Sequence, residues 1–284
     1  MDSWLAGPLR SSDDNPQSPS PELELRHVSI SFEANLVLDD VSFTVNRGET
    51  IVLLGVTGSG KSVLLKVILG LLKPDSGQVL VSGQDMTPLS ETELYPFRQR
   101  MGMVFQEGAL FDSLSVYENV AYRLREGGEK NEARIEERVR EVLRFVELEN
   151  TLDKMPAELS GGMRRRVSIA RTIVSEPSIM LYDSPTAGLD PVTAHTIILL
   201  IAKLRDTQGV SSVVVTHRLP DAFVLANFAY SAERHELVPV ASDGGARPNG
   251  ATRFLVLRDG AVCFWGPTEE LVATTDPYLR KFLA

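Results

Sequence analysis

The chain has 284 residues, 43% of them apolar, and its 29 basic and 38 acidic side chains give a formal charge of −9. That length suits one large domain or two small ones, and the acidic balance argues against a protein that coats nucleic acid while leaving room for a local phosphate site built from a few oriented donors. A lone cysteine, Cys263, excludes an intrachain disulfide and suits a reducing compartment. The stretches 63–72 and 197–204, interrupted by Lys66 and Lys203, fall short of the roughly 20 apolar residues of a membrane span.

Residues 1–21 carry Pro8, Pro16, Pro19 and Pro21 among Ser and Asp, with neither a basic start nor an apolar stretch. They are expected to be a disordered tail and not a signal peptide. Leu23, Leu25, Val28, Ile30 and Phe32 follow a strand period, repeated by Val41, Phe43 and Val45 before a turn at Arg47-Gly48. Residues 51–54 form a short apolar run, as in a strand buried on both faces. A Gly-rich loop leads into a helix predicted from Lys61 to about Leu72, which Lys73-Pro74-Asp75-Ser76-Gly77 terminates.

From about 90 to 175 the chain reads as mostly helical. The clearest helix, 131–148, places Ile135, Val139, Val142, Leu143 and Val146 on one face. The run Arg164-Arg165-Arg166 reads as a solvated helix face. Strands at 179–182 and 213–215, with a helix at 191–205 between them, imply a mostly parallel sheet. Residues 231–252 read as an irregular insertion or exposed hairpin. Residues 254–258 and 261–265 form a hairpin around Asp259-Gly260, and a C-terminal helix runs from near Thr268, interrupted at Pro277, to Ala284. His27, His195 and His235 have no metal-ligand spacing and read as surface or packing residues.

Gly55-Val56-Thr57-Gly58-Ser59-Gly60-Lys61-Ser62 fits the pattern G-x-x-x-x-G-K-[ST] between a buried strand and a helix. Glycines let the backbone wrap a polyphosphate. Loop N–H groups and the helix N-terminus then face its oxygens. Lys61 adds a cation for the β- and γ-phosphates, and the Ser62 hydroxyl can ligate Mg²⁺. Asp183, ending an apolar strand, supplies the metal carboxylate.

Between these motifs stands Leu159-Ser160-Gly161-Gly162-Met163, and here the chain resembles the ATP-binding subunits of ABC transporters, whose signature is Leu-Ser-Gly-Gly. The resemblance implies an α/β ABC ATPase fold: a P-loop core with a mixed sheet, an antiparallel β edge and a helical subdomain at about 90–175. The ATPase domain would span 22–284, with 231–252 as an insertion. It further implies that Gln106 is the Q-loop glutamine, a metal and water ligand. Ala187-Gly188-Leu189-Asp190 would be the D-loop, His217 the switch histidine and Phe32 the ring stacked on adenine. Ser160, Gly161 and Gly162, at a helix start, would close on ATP held by a second copy, with Asp190 beside them, giving a homodimer with two composite sites. Residues 105–114, Glu118-Asn119-Val120-Ala121, Met163 and residues 276–283 resemble the Mla/Mce-type lipid transport ATPases. That likeness implies a peripheral subunit on the cytoplasmic face of a bacterial inner membrane, working with an integral permease and an MCE lipid-binding protein, with ATP and Mg²⁺ as cofactors. Residues 111–122 read equally as core packing and, by the resemblance, as the border of the groove for the permease.

One residue departs from the pattern. Where the family has glutamate after the metal aspartate, this chain has Ser184. A serine hydroxyl is no base near pH 7, and losing a general base costs about 10²–10⁴-fold in rate. Three readings stay open: slow hydrolysis with His217 and Gln106 placing the water, a degenerate regulatory subunit beside an active partner, or an engineered change that traps the ATP-bound dimer. Arg218, where Asp often follows the switch histidine, is a second departure. A role on nucleic acid or ribosomes fits poorly. Repair-type members separate the two motifs by a long coiled coil, whereas Ser62 and Leu159 lie about one hundred residues apart.

Overall fold

A computed structural model describes residues 20–33, 35–240 and 252–283. Nearly all of the expected tail 1–21, and residues 241–251 of the expected insertion, lie outside the described residues. In chain order the elements are β1 (Leu23–Phe32), β2 (Asn35–Val45), β3 (Thr50–Gly55), α1 (Lys61–Ile68), β4 (Ser76–Val81), β5 (Gln84–Asp85), α2 (Glu91–Gln99), β6 (Met101–Val104), α3 (Val116–Glu126), α4 (Glu132–Phe145) and α5 (Gly161–Ile173). There follow β7 (Ile179–Asp183), α6 (Pro191–Gln208), β8 (Ser211–Val215), α7 (Leu219–Asn227), β9 (Phe228–Ser231), β10 (Glu236–Pro239), β11 (Thr252–Arg258), β12 (Ala261–Pro267), α8 (Thr268–Val272) and α9 (Pro277–Leu283).

The central sheet has the order β12-β11-β3-β8-β7-β6. It is parallel except for β12, which pairs antiparallel with β11. Its inner strands are apolar on both faces because both are covered. Val52, Leu54, Met180, Tyr182, Val214, Phe254 and Val256 join one core with α3 to α7. The alternate residues Ile51, Leu53, Ile179, Leu181, Val213, Val215, Leu255 and Leu257 join a second core with α1 and the antiparallel sheet β2-β1-β4-β5. This is the mixed α/β architecture with an antiparallel edge that the resemblance implied.

Four local expectations are corrected. The helix after the Gly-rich loop stops at Ile68, because Gly70 takes a φ of 66° and the Leu71 and Leu72 N–H groups turn back to the Lys66 carbonyl. The mostly helical stretch contains β6, a strand too short to announce itself, paired parallel with β7. The helix predicted at 191–205 continues to Gln208, where Gly209 caps it with a φ of 65°. The arginine triplet is a solvated face only in part: Arg164 is exposed, Arg166 half-buried and Arg165 buried. Arg164 donates to the Leu159 carbonyl, buried Arg165 to that of Phe105 and Arg166 to that of Val146. The 231–252 reading meets a β9–β10 hairpin at its start and β11 at its end. The C-terminal helix is interrupted, with Asp276 capping its second part.

Candidate nucleotide site

Parallel pairing brings the carboxyl ends of β3, β7 and β8 to one edge, where ligands of open α/β sheets bind. Leu53 pairs with Val215, and Asp183 pairs with Val215 from the other side. The loop after β3, the Asp183 carboxylate and His217 therefore meet there. Positive φ angles at Gly55, Gly58 and Gly60 bend the loop. Gly60 is also sterically required, since a Cβ there would lie 2.7 Å from the Val37 carbonyl oxygen.

Lys61 Nζ donates to the carbonyls of Gly55 (2.9 Å) and Val56 (2.7 Å), with Ser59 Oγ at 3.4 Å. Burial lowers its pKa and the Asp183 charge pulls it back up. The first turn of α1 has no acidic residue and no side-chain cap, leaving an anion-binding helix end. Ser62 Oγ donates to Asp183 Oδ2 at 3.0 Å. Two hard oxygen donors, a lysine drawn onto loop carbonyls and an uncapped helix fit a magnesium–polyphosphate. Mg²⁺ is held by one or two carboxylates plus substrate phosphates. Among the described residues no group of three His, Cys, Asp or Glu is placed to hold a metal by itself.

Phe32, at the end of β1, is 42% exposed. Gln106 is exposed on a loop fastened to α5. Arg165 takes the Phe105 carbonyl, and Arg171 those of Gly108 and Ala109. Ser160 caps α5 by accepting from the Met163 N–H at 3.2 Å. Gly162 is buried against α6, where a Cβ would strike the Thr193 side chain, whereas Gly161 is exposed. Asp190 caps α6, accepting from the N–H groups of Val192 and Thr193 at 3.0 Å each. Hydrogen bonds from Thr193, side chain before backbone, hold its carboxyl below the usual range. α5 packs on α3, α4, α6 and β6, while α1 packs on β2, β3 and β7. The two helix ends thus rest on different layers of the molecule.

Ser184 is buried, with a φ of 50°. Its N–H donates to the Val215 carbonyl (3.0 Å) and its hydroxyl donates to Asp183 Oδ1 (3.3 Å). It braces the Asp183 carboxylate and offers no base. His217 is pushed below the ordinary imidazole value by burial and then by the Lys61 charge, against an upward pull from Asp183. Burial and the Lys61 charge thus favour the neutral imidazole. By NMR, His217 is expected to titrate below an ordinary exposed imidazole. Lys61→Gln should move the value up and Asp183→Asn should move it further down; the opposite ordering would refute this electrostatic arrangement.

Sequence reasoning missed a support beneath this edge. The Thr186 hydroxyl donates to buried Asp221 at 2.5 Å, Arg218 Nε lies 3.3 Å from the same carboxylate, and Arg218 Nη1 donates to the Leu189 carbonyl at 3.3 Å. Arg218, the second departure, thus ties Leu189 to α7. The i, i+3 spacing of Arg218 and Asp221 in a first helical turn was the available signal.

Residues 38–187 match the ABC transporter family. The chain is similar to the intermembrane phospholipid transport system ATP-binding protein MlaF of Escherichia coli strain K12, at 34% identity over 267 residues covering 94% of this chain and 90% of that protein. It is 35% identical over 261 residues to the probable ribonucleotide transport ATP-binding protein mkl of Mycobacterium bovis, covering 92% of this chain and 66% of that protein. Among solved structures, the dimeric post-hydrolysis state of the ATP-binding cassette MJ0796 bound to ADP and Pi superposes with a TM-score of 0.71 at 30% identity, covering 86% of this chain and 98% of that one. The cbiO1 subunit of the cbiONQ transporter complex from Clostridium perfringens gives 0.74 at 26% identity, covering 89% and 91%.

Proposed function

Because the chain belongs to the ABC transporter family as an ATP-binding subunit, we propose that it binds MgATP and hydrolyses it slowly to drive lipid transport through a separate membrane permease. The observation that carries the ATP reading is the Ser62–Asp183 pair, 3.0 Å apart, beside a lysine-bearing phosphate loop. Loop N–H groups and the α1 end would hold the phosphates, Lys61 would leave the loop carbonyls for the β- and γ-oxygens, and Phe32 would stack on the base. Ser62, Asp183 and Gln106 would hold the magnesium ion, which neutralises charge on the phosphates when bound. Neutral His217 and Gln106 would orient the attacking water, while Ser184 leaves the proton without a nearby base.

Ser160 and Gly161 sit on a different layer from the loop, so a second copy is the simplest source of the closing half, and a homodimer follows. The dimeric form of MJ0796 supports that reading. No described helix is long and apolar enough to cross a membrane; in this reading the permease is a separate chain and this subunit is peripheral on the inner membrane's cytoplasmic face. The likeness to MlaF over nine-tenths of its length favours phospholipid as cargo, and the resemblance of the sequence to Mla/Mce-type ATPases favours an MCE protein in the complex. Residues 22–284 would form one ATPase unit, with 1–21 as a tail and 231–252 as an insertion. Ser184 supports a second reading, a nucleotide-binding regulatory subunit without turnover.

The test is purification of the native complex. A polytopic membrane protein and phospholipid are expected to copurify, and Lys61→Ala should abolish MgATP binding. Copurified RNA or DNA without a membrane protein would overturn the transport reading, and MgATP binding indifferent to Lys61→Ala would overturn the site.

A further inference from the structure

We propose that Tyr278, on α9, is a positioning residue that acts through the Leu257 carbonyl to fix the start of the phosphate loop. This rests on reading residues 55–62 as the MgATP site.

Leu257 of β11 pairs with Gly55 of β3 in the parallel register. The two backbones are so close that a Cβ on Gly55 would lie 2.7 Å from the Leu257 carbonyl oxygen. Tyr278 Oη donates to that same carbonyl at 3.2 Å. Lys61 Nζ holds the Gly55 carbonyl at 2.9 Å, and Tyr278 holds the Leu257 carbonyl that lies against Gly55.

The clamp is built to last when one hand lets go. Lys61 must turn from the loop carbonyls to a phosphate on binding, and Tyr278 then remains on the Leu257 carbonyl beside Gly55. Its ring is locked edge-on against Phe282, with centroids 5.2 Å apart, and beneath the Arg258 guanidinium at 5.0 Å. Asp276 fixes the start of α9, accepting from the Tyr278 N–H at 2.7 Å and the Leu279 N–H at 3.2 Å. One turn on, Lys281 and Phe282 line a cavity of about 500 Å³ together with His217, Arg218 and Leu54. The C-terminal helix therefore touches the nucleotide edge on two sides.

Tyr278→Phe in the full chain removes the hydroxyl and keeps the ring contacts. Displacement of a fluorescent ATP analogue by MgATP should show affinity weakened about three- to tenfold, the effect of one net hydrogen bond. Without nucleotide, Tm should shift by no more than about 4 °C. A residue that only braced the fold would lower Tm and leave affinity alone; that result, or affinity within twofold of the native chain, would overturn the proposal. Failure of the native chain to bind MgATP would overturn the ATP reading itself, and the native control separates the two failures.

Discussion

Replacing Ser184 by glutamate is expected to raise phosphate release by the purified complex about 10²–10⁴-fold, the usual contribution of a positioned general base. The backbone there already sits at a φ of 50°, so serine and glutamate bear the same left-handed conformation and the exchange adds little backbone strain. The parts of the site that bind are largely separate from the part that is missing: Lys61 sits on the loop carbonyls and Ser62 on the other oxygen of Asp183. Only the hydroxyl's hydrogen bond to Asp183 Oδ1 is lost. MgATP affinity should therefore hold while turnover rises. The native complex should release phosphate slowly, and Lys61→Ala should abolish that release. No Lys61-dependent release from the native complex would remove the slow-ATPase reading in favour of the regulatory one. An inert Ser184→Glu variant in a complex that does turn over would show that the serine does not limit the rate.

Motifs whose chemistry is carried by backbone and local spacing were legible in the sequence. The phosphate loop, Asp183 and the alternation around them announced the edge where Gly55, Asp183 and His217 meet. Fold class was legible for the same reason: apolar runs too long for one-sided burial require a covered sheet. What stayed hidden depends on pairs distant in sequence. β6 has four residues and no periodicity to show. Arg164, Arg165 and Arg166 look like a charged surface until the carbonyls of Leu159, Phe105 and Val146 are brought to them. Tyr278 reads as one aromatic in a terminal helix, and its meaning comes only from β11 lying beside β3. Arg218 was visible as a departure, while its bond to Leu189 O was not.

Arg205→Met should lower unfolding free energy by about 3–5 kcal/mol, the cost of removing one partner from a buried charge pair. The Arg205 and Asp206 side chains are 0% and 2% exposed. Arg205 donates to both Asp206 oxygens at 2.6 and 2.8 Å, to the Leu225 carbonyl at 2.7 Å and to the Phe228 carbonyl at 2.9 Å. It also donates to Thr252 Oγ1 at 3.2 Å. One guanidinium thus joins α6 to the end of α7, the start of β9 and the start of β11. Methionine matches much of the volume but deprives those carbonyls of a donor and takes the Arg205 charge away from the buried Asp206 carboxylate. Because most of the cost is the stranded charge, Arg205→Met with Asp206→Leu should be less destabilising than Arg205→Met alone. Asp206 also accepts from the Tyr230 N–H at 2.7 Å, so the double variant should recover only part of the loss. The phosphate loop and Asp183 lie at the ends of other strands, so the fraction that stays folded should bind MgATP as the native chain does. Urea denaturation followed by circular dichroism measures both variants. A loss below about 1 kcal/mol for Arg205→Met, typical of an exposed ion pair, would refute the stranded-charge account.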